Sequence, residues 1–545
     1  MYLKLNGMEM QCSEADRWMD LLDRLPDGGA GALGIGVQGQ TYGLAEPVVE
    51  YAQGRILTYD DEEGRRIYER SLLLTFLAAM ERCFPGVDVR MEHSHGQGVY
   101  IVGKNFDFTE PVCRQIDGEM RRLVAEERPI RKRTVSTSRA EAYYGEHGQS
   151  DRMRLLKYRK YSQFTLYDID GCEDYFYGKM TPTTGPLKVF RLIPYGRGVM
   201  LMRPDRAHPS RPADFQETPR LWRIYGESSR WQSRLKCENV ADLNDLIAGG
   251  GLREFIRVNE AFHEGRLHEL VNRFEDSGAR LILIAGPSSS GKTTFANRLS
   301  TVLRSRGLVP VKLSMDDYYR NRSEITPEPD GTLDLEHPDT LDVALLGEHL
   351  RRLMEGEEVQ VPEFDFTVSA RSPRTHSLQL RPDQILIIEG IHGLNESMTR
   401  TIPAALKFKI YISALTTLNL DDHNRIHTAD VRLLRRIVRD HHFRNTRSED
   451  TMQMWDSVRR GEEKYIFPYQ EQADVMFNSA LNYELAIMRR YAYPLLCEVQ
   501  PESPYYTAAR RMVKFLNYIL PADAEDEVPG NSILREFIGG SCFYR

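Results

Sequence analysis

Three short apolar runs mark out the C-terminal half of this chain: Leu281 to Ala285, Val309 to Leu313 and Ile385 to Ile388. Each is about as long as one strand, and the first and third are uninterrupted and carry β-branched residues, the pattern of strands covered on both faces of a parallel sheet. The pattern then changes period. After the first run Phe295, Leu299, Val302 and Leu303 recur at helical spacing, and Gly307 stands where that helix would stop. Further on, Leu433, Leu434, Ile437 and Val438 form the apolar face of another helix.

The N-terminal half reads differently. Tyr2 to Leu5, Leu33 to Val37 and Arg55 to Thr58 are short apolar segments between turn residues and predict a small β-rich domain over 1–60. Over 61–225 a helix is expected at Leu72 to Phe84, ended by Pro85-Gly86, and a second from Glu110 to Glu127. Prolines at 204, 209, 212 and 219 predict a linker, followed by a helical connector over 226–275. The parallel-sheet domain takes 276–490, and 491–545 is left as a C-terminal extension. The expected class is α/β, a parallel sheet with flanking helices behind a β-rich and an α+β unit.

Composition changes this picture little. With 41% hydrophobic and 28% charged residues the chain is ordinary for a globular protein. A net charge of −7 gives no overall attraction to nucleic acid, so the N-terminal half, with Arg131-Lys132-Arg133, is the one place where such a partner could be met. The longest apolar stretch, Leu72 to Met80, is too short to span a bilayer, and the expected location is cytoplasmic with no membrane partner. Seven scattered cysteines without a C-x-x-C pair suggest neither a disulfide framework nor a zinc site.

Between the first apolar run and its helix lies Gly286-Pro-Ser288-Ser289-Ser290-Gly291-Lys292-Thr293-Thr294, a full match to G-x-x-x-x-G-K-[ST]. In such a loop backbone N–H groups cradle phosphates, the lysine reaches the β- and γ-phosphates, and the threonine hydroxyl holds Mg²⁺. The strand before it and the helix after it are the context the mechanism needs, with the helix N-terminus aimed at the anion. ATP and Mg²⁺ are therefore the expected cofactors.

Two further apolar runs end in carboxylates, Ser314-Met315-Asp316-Asp317-Tyr318-Tyr319 and Glu389-Gly390, at the edge where ligands bind in parallel sheets. A carboxylate there can take the proton of an attacking hydroxyl or help hold Mg²⁺; a helix cap and a plain strand end are the alternatives. Leu335-Glu336-His337-Pro338-Asp339 and Val361-Pro362-Glu363-Phe364-Asp365-Phe366 read as polar and aromatic punctuation between helices, suited to a sugar diol and a flat ring. Arginines 432, 435, 436 and 439 form one cationic stripe, followed by Arg444 and Arg447.

Taken in order, the phosphate loop, Ser-x-Asp-x-x-Tyr at 314–319, x-His-Pro-Asp at 336–339, Pro-x-Phe-Asp-Phe at 362–366, Glu-Gly-Ile at 389–391, Asp-x-Arg-x-x-Arg-Arg at 430–436 and Ala473-Asp474-Val475 resemble the uridine kinase branch of the phosphoribulokinase/uridine kinase family. The resemblance implies a P-loop kinase of a small-molecule nucleoside, with further copies of the chain as partners. It implies Asp316 as general base, Thr293, Asp316 and Glu389 around Mg²⁺, and Lys292, Arg432, Arg435, Arg444 and Arg447 attending the phosphates. Tyr319, Glu336, His337, Phe364, Phe366, Ser369 and Arg371 would line the acceptor pocket. Two departures bear on the acceptor: Glu336 replaces the usual aspartate at the ribose hydroxyls, and Ser369 replaces a base-facing histidine. Another hydroxyl acceptor, such as pantothenate or a sugar phosphate, and an RNA-binding or nucleotide-sensing switch remain open.

The N-terminal half resembles the TGS domain and the second additional, editing domain of threonyl-tRNA synthetases. The stretch Val37 to Leu44 followed by Asp60-Asp61-Glu62-Glu63-Gly64 carries the first likeness, and the order of elements from Ile67 to Trp222 the second. At the four editing positions this chain has Arg70, Leu74, Phe176 and Met180, none able to activate water or bind a hard metal. The expectation is a shell without editing chemistry, with a drier and narrower cleft, whose deletion over residues 1–225 would alter solubility, assembly or regulation while leaving the kinase site chemically complete.

Overall fold

The computed structural model describes residues 2–50, 52–159, 161–327, 333–365 and 368–544. Residues 2–57 form a five-stranded sheet in the order Met8–Gln11, Tyr2–Leu5, Gln53–Leu57, Gly34–Val37, Gln40–Tyr42. The pairing of Tyr2–Leu5 with Gln53–Leu57 is parallel and the other pairings are antiparallel. Alternation along Tyr2–Leu5 buries Leu3 and Leu5 against Trp18 and Leu21 of the short helix Trp18–Leu22, so a small core closes here as the pattern requires.

The second unit is built on the helix Glu62–Cys83, which begins ten residues before the expected Leu72. Its polar first turns carry Arg66 and Arg70 into ion-pair and carbonyl contacts with other parts of the chain, so apolar periodicity alone understated its length. The antiparallel sheet Arg191–Tyr195, Gly198–Met202, Gly98–Gly103, Val89–His95 and the three-stranded sheet Cys172–Asp174, Gln163–Ile169, Arg131–Ser136 complete the unit with the helix Glu110–Ala125. Leu74, Phe176 and Met180 are buried in its core, while Arg70 donates from Nε to the carbonyl of Lys179 at 3.0 Å. Three of the four positions thus serve packing.

The helices Pro219–Leu235, Val240–Ala248 and Leu252–Ser277 lead to a five-stranded, wholly parallel sheet. Its order is Val309–Ser314, Gln384–Glu389, Leu281–Ala285, Lys407–Ser413, Val475–Asn478. Alternate residues of Leu281–Ala285 feed the cores on its two faces: Ile282 and Ile284 pack with Phe295 and Leu299, Leu281 and Leu283 with Leu346 and Leu350. Coverage on both faces explains the uninterrupted apolar runs.

One expectation changes. Val361 to Asp365 is no punctuation between helices but part of the strand Glu358–Asp365, paired antiparallel with Ala370–Gln379. Pro362 is tolerated because this two-stranded ribbon has an open edge and its register shifts between Pro362 and Phe364. The expected C-terminal extension, 491–545, packs into the rest of the chain. The helix Tyr506–Leu516 buries Ala509, Met512, Val513, Phe515 and Leu516 in one core with Tyr175 of the second unit and with Leu434 and Val438 of the arginine-bearing helix Thr428–Arg444.

Candidate active site

Parallel register builds the site. Glu389 pairs with Ile284 on one side and with Ser314 on the other, so three strands end together and deliver the phosphate loop, Glu389 and the turn Met315–Tyr318 to one place. The loop rises from Leu281–Ala285 into the helix Lys292–Ser305. Gly286 is obligatory because a Cβ there would come within 2.0 Å of the Ile412 carbonyl oxygen on the neighbouring strand. Ser289 and Gly291 adopt positive φ, which turns the loop back on itself. The Lys292 ammonium is folded onto the loop, donating to the carbonyls of Gly286 (3.0 Å) and Pro287 (3.2 Å). Thr293 is exposed at the start of the helix, whereas Ser289, Ser290 and Thr294 are buried.

The turn after Val309–Ser314 carries Asp316, capped through its N–H by Ser314 Oγ at 3.3 Å. The same hydroxyl donates to Glu389 Oε1 at 3.2 Å, which ties the two strand ends together. Burial pushes the Asp316 carboxyl upward against the pull of Lys292, Arg444 and Arg439. Burial, and after it the charge of Asp316, pushes Glu389 up to about 7. Two half-buried acids and a threonine hydroxyl at the loop offer hard oxygen donors, a set that fits Mg²⁺. Among the described residues no group of three or more His, Cys, Asp or Glu comes together to hold a metal.

The arginines divide. Arg432 and Arg435 are 1% and 0% exposed and brace the loop from behind. Arg432 is paired with Glu462 and donates to the Ser288 carbonyl at 2.9 Å, and Glu462 in turn accepts the Ser288 N–H at 3.0 Å. Arg435 binds Glu484 and the Ser479 carbonyl and reaches the Ser289 carbonyl at 3.4 Å. These two donate to loop carbonyls rather than facing the phosphate side, because burial forces each guanidinium onto a carboxylate. Arg447 is also out of place: its side chain is 75% exposed and paired with Asp450 on the next helix turn.

The cations that act on the acids are others. Arg439 and Arg444 both lower Asp316, and Arg436 donates to Ser288 Oγ at 2.8 Å and lowers Glu336. Arg436 and Arg439 belonged to the cationic stripe read from the sequence, yet periodicity could not tell which of its members face the site.

The residues expected to line an acceptor pocket come from three segments. Burial and the charge of Glu462 push Glu336 up to about 7. The Tyr319 hydroxyl is pushed far up by burial and by Asp316, Glu336 and Glu389, and its ring lies 5.6 Å from that of Phe364. His337 stacks edge-on against Tyr465 at 5.0 Å. Arg371 is already spent, donating to the carbonyls of Tyr319 (2.9 Å) and Tyr318 (3.2 Å) and so fixing the Asp316 turn. Ser369 sits at the hairpin tip with φ 52°, and Phe366 lies outside the described residues.

His392 was not foreseen: a buried imidazole next to Glu336, lowered by burial to about 4. Its signal was available, since it follows the carboxylate-ended strand by three residues. Glu536, far along the chain, was invisible to spacing; its Oε2 accepts the Thr294 N–H at 3.1 Å.

Residues 281–486 match the phosphoribulokinase / uridine kinase family. A uridine kinase of Brevibacillus brevis is 33% identical over 198 residues, which is 36% of this chain and 83% of that protein. A uridine kinase of Lactobacillus johnsonii is 30% identical over 208 residues, 38% of this chain and 90% of its own. Among solved structures, one described as a possible uridine kinase from Bacillus stearothermophilus aligns with a TM-score of 0.27 at 20% identity, covering 37% of this chain and 89% of that one. The N-terminal half and residues 487–545 lie outside the family match. With a third of the residues identical across most of a relative's length, the chain belongs, through residues 281–486, to the phosphoribulokinase/uridine kinase family.

Proposed function

We propose that this chain is an ATP-dependent kinase of the 5′-hydroxyl of a nucleoside, with uridine or cytidine as acceptor. The observation that carries the reading is the convergence, through sheet register, of the phosphate loop, Asp316 and Glu389 at one strand edge, with Arg436, Arg439 and Arg444 alongside. A nucleotide-sensing switch needs the loop and an acid for Mg²⁺, but has no use for a second acid poised to take a proton from an acceptor.

In this mechanism the acceptor oxygen forms a bond to the γ-phosphorus while the bond to the β,γ-bridging oxygen breaks and ADP leaves. The proton of the acceptor passes to Asp316, whose raised pKa makes its carboxylate a stronger base than a solvated one. Lys292 leaves the loop carbonyls for the β- and γ-phosphates, and the three arginines offset charge on the moving group. Thr293, Asp316 and Glu389 would hold Mg²⁺, which supplies charge neutralisation at the phosphates when bound. In this reading Glu336 accepts from the ribose hydroxyls, and the neighbouring rings of Tyr319 and Phe364 offer an aromatic surface.

The names of the relatives favour a pyrimidine ribonucleoside. The N-terminal half, with Leu74, Phe176 and Met180 packed away, is proposed to act as a non-catalytic module of TGS and editing-domain ancestry. ADP release across nucleosides, pantothenate and sugar phosphates tests the reading. Uridine or cytidine should give the fastest turnover, and a flat response to every acceptor would leave the switch.

A further inference from the structure

The helix that opens the phosphate site begins at Lys292, and its first backbone N–H groups are among those a nucleotide's phosphates need. One of them is taken. The Thr294 N–H donates to Glu536 Oε2 at 3.1 Å, and the charge of Glu536 also acts on Glu389 across the site. A carboxylate and a phosphate oxygen cannot share that N–H, and they repel each other.

The segment that presents Glu536 is built in, not loosely draped. Ile533, Leu534 and Phe537 are fully buried, and Ser532 Oγ donates to Glu260 at 2.6 Å. The Phe537 ring lies 5.0 Å from the Arg435 guanidinium that braces the loop. Ile533 presses on the loop itself, where a Cβ added at Gly291 would meet its Cγ2 at 2.5 Å. Past the turn at Gly539-Gly540, the Tyr544 hydroxyl accepts from Asn297 Nδ2 at 3.3 Å, on the same helix as Thr294. Only the Glu536 side chain needs to rotate to release the N–H; the anchored backbone around it can stay.

We propose that Glu536 is an internal competitor for ATP, an autoinhibitory carboxylate that holds the Thr294 N–H in the empty enzyme and must swing aside before the phosphates can bind. In the empty state it also offsets the positive end of the loop helix, which keeps the loop formed. This inference rests on the reading of the loop as an ATP site.

The test is the affinity of the full chain for a fluorescent ATP analogue, without acceptor, in the wild type, Glu536→Gln, Glu536→Ala, and Asp526→Asn as a control on the same C-terminal stretch. Glu536→Gln keeps shape and removes charge, so it should tighten binding about tenfold, equivalent to about 1.4 kcal/mol. Glu536→Ala should tighten binding at least as much, and the control should match the wild type. Equal or weaker binding by both Glu536 variants overturns the proposal and leaves the ATP reading standing. No binding by any of the four chains overturns the ATP reading and this proposal with it.

Discussion

Arg435 and Arg439 stand one turn apart on the same helix and are employed in opposite ways. Arg435 is sealed in, held by Glu484 and loop carbonyls, so removing its charge strands a buried carboxylate. Arg435→Met should cost about 3–5 kcal/mol of stability and lower the Tm of the whole chain. Arg439 is partly exposed, paired with Asp440, and acts on Asp316. Arg439→Met should leave the Tm within about 3 °C and lower kcat roughly a hundredfold, a typical cost for one charge-stabilising group. Calorimetry and steady-state kinetics on the pair check both, and an interchange of the two outcomes would refute the assignment. At Glu336 the sign can be worked through. Its folded pKa of about 7 lies above the usual 4.5, so the folded protein keeps a proton that the unfolded chain has released. Stability from this group is present below about pH 4.5 and is lost as pH rises through 7. Between pH 5 and 8 the ligand-free enzyme should lose on the order of 1–3 kcal/mol that Glu336→Gln does not lose, read as a flatter Tm-versus-pH curve in the variant.

Among the elements, the inner strands Leu281–Ala285 and Gln384–Glu389 were legible because burial on both faces leaves a continuous apolar run, whereas the edge strand Val309–Ser314, with Lys312 exposed, was legible through Val309, Val311 and Leu313. Leu281–Ala285 falls on its expected bounds, and Val309–Ser314 and Gln384–Glu389 within one residue of theirs. The arginine helix was legible as a helix but not in its orientation. Spacing places Arg432, Arg435, Arg436 and Arg439 on related faces, yet the carboxylates that pull two of them inward, Glu462 and Glu484, come 30 and 49 residues later. The Glu358–Asp365 strand was hidden by Pro362, a residue that argues against a central strand and is permitted in an edge ribbon. One element-level contact makes a prediction. Gly390 follows the strand that ends in Glu389, and a Cβ on it would come within 2.6 Å of Met315 Cβ, beside Asp316. Gly390→Ala should push the Asp316 turn off the strand end and lower kcat about tenfold or more, while affinity for ATP changes little. An ATP affinity that falls in step with kcat would show that Gly390 shapes the loop instead.

Over the whole molecule, the two halves are joined at a point that matters to the site. Asp430 opens the arginine helix two residues before Arg432 and is held by Arg66 of the second unit (3.1 Å) and by Arg511 of the C-terminal helix (3.0 Å). Those two arginines and His427 keep its carboxyl well below the usual range. Around it Asn424 Nδ2 donates to the Tyr175 carbonyl (2.8 Å), the Tyr177 hydroxyl to the Arg425 carbonyl (3.1 Å), and Asn419 Nδ2 to the Met91 carbonyl (2.7 Å). His423 Nδ1 meets Asp174 at 2.6 Å, and Tyr175 itself lies in the same apolar core as Leu434. A sequence read in consecutive blocks suggests separable domains, because the partners that cross between the two halves are two to four hundred residues apart and no local pattern links them. The expectation for deletion of residues 1–225, altered solubility, assembly or regulation with the kinase site chemically complete, gains a structural cost from these contacts. Removal would leave Asp430 with Arg511 alone, take the Met91 carbonyl from the Asn419 side chain, uncover the apolar residues that face Tyr175, and loosen the N-terminal turn of the helix that braces the phosphate loop. A chain starting at residue 226 should unfold at least about 10 °C below the full chain, or fail to stay in solution, and its kcat should fall well before its purified fraction does. Unfolding within about 5 °C of the full chain, at unchanged kcat, would show instead that the contacts around Asp430 join two units that stand alone.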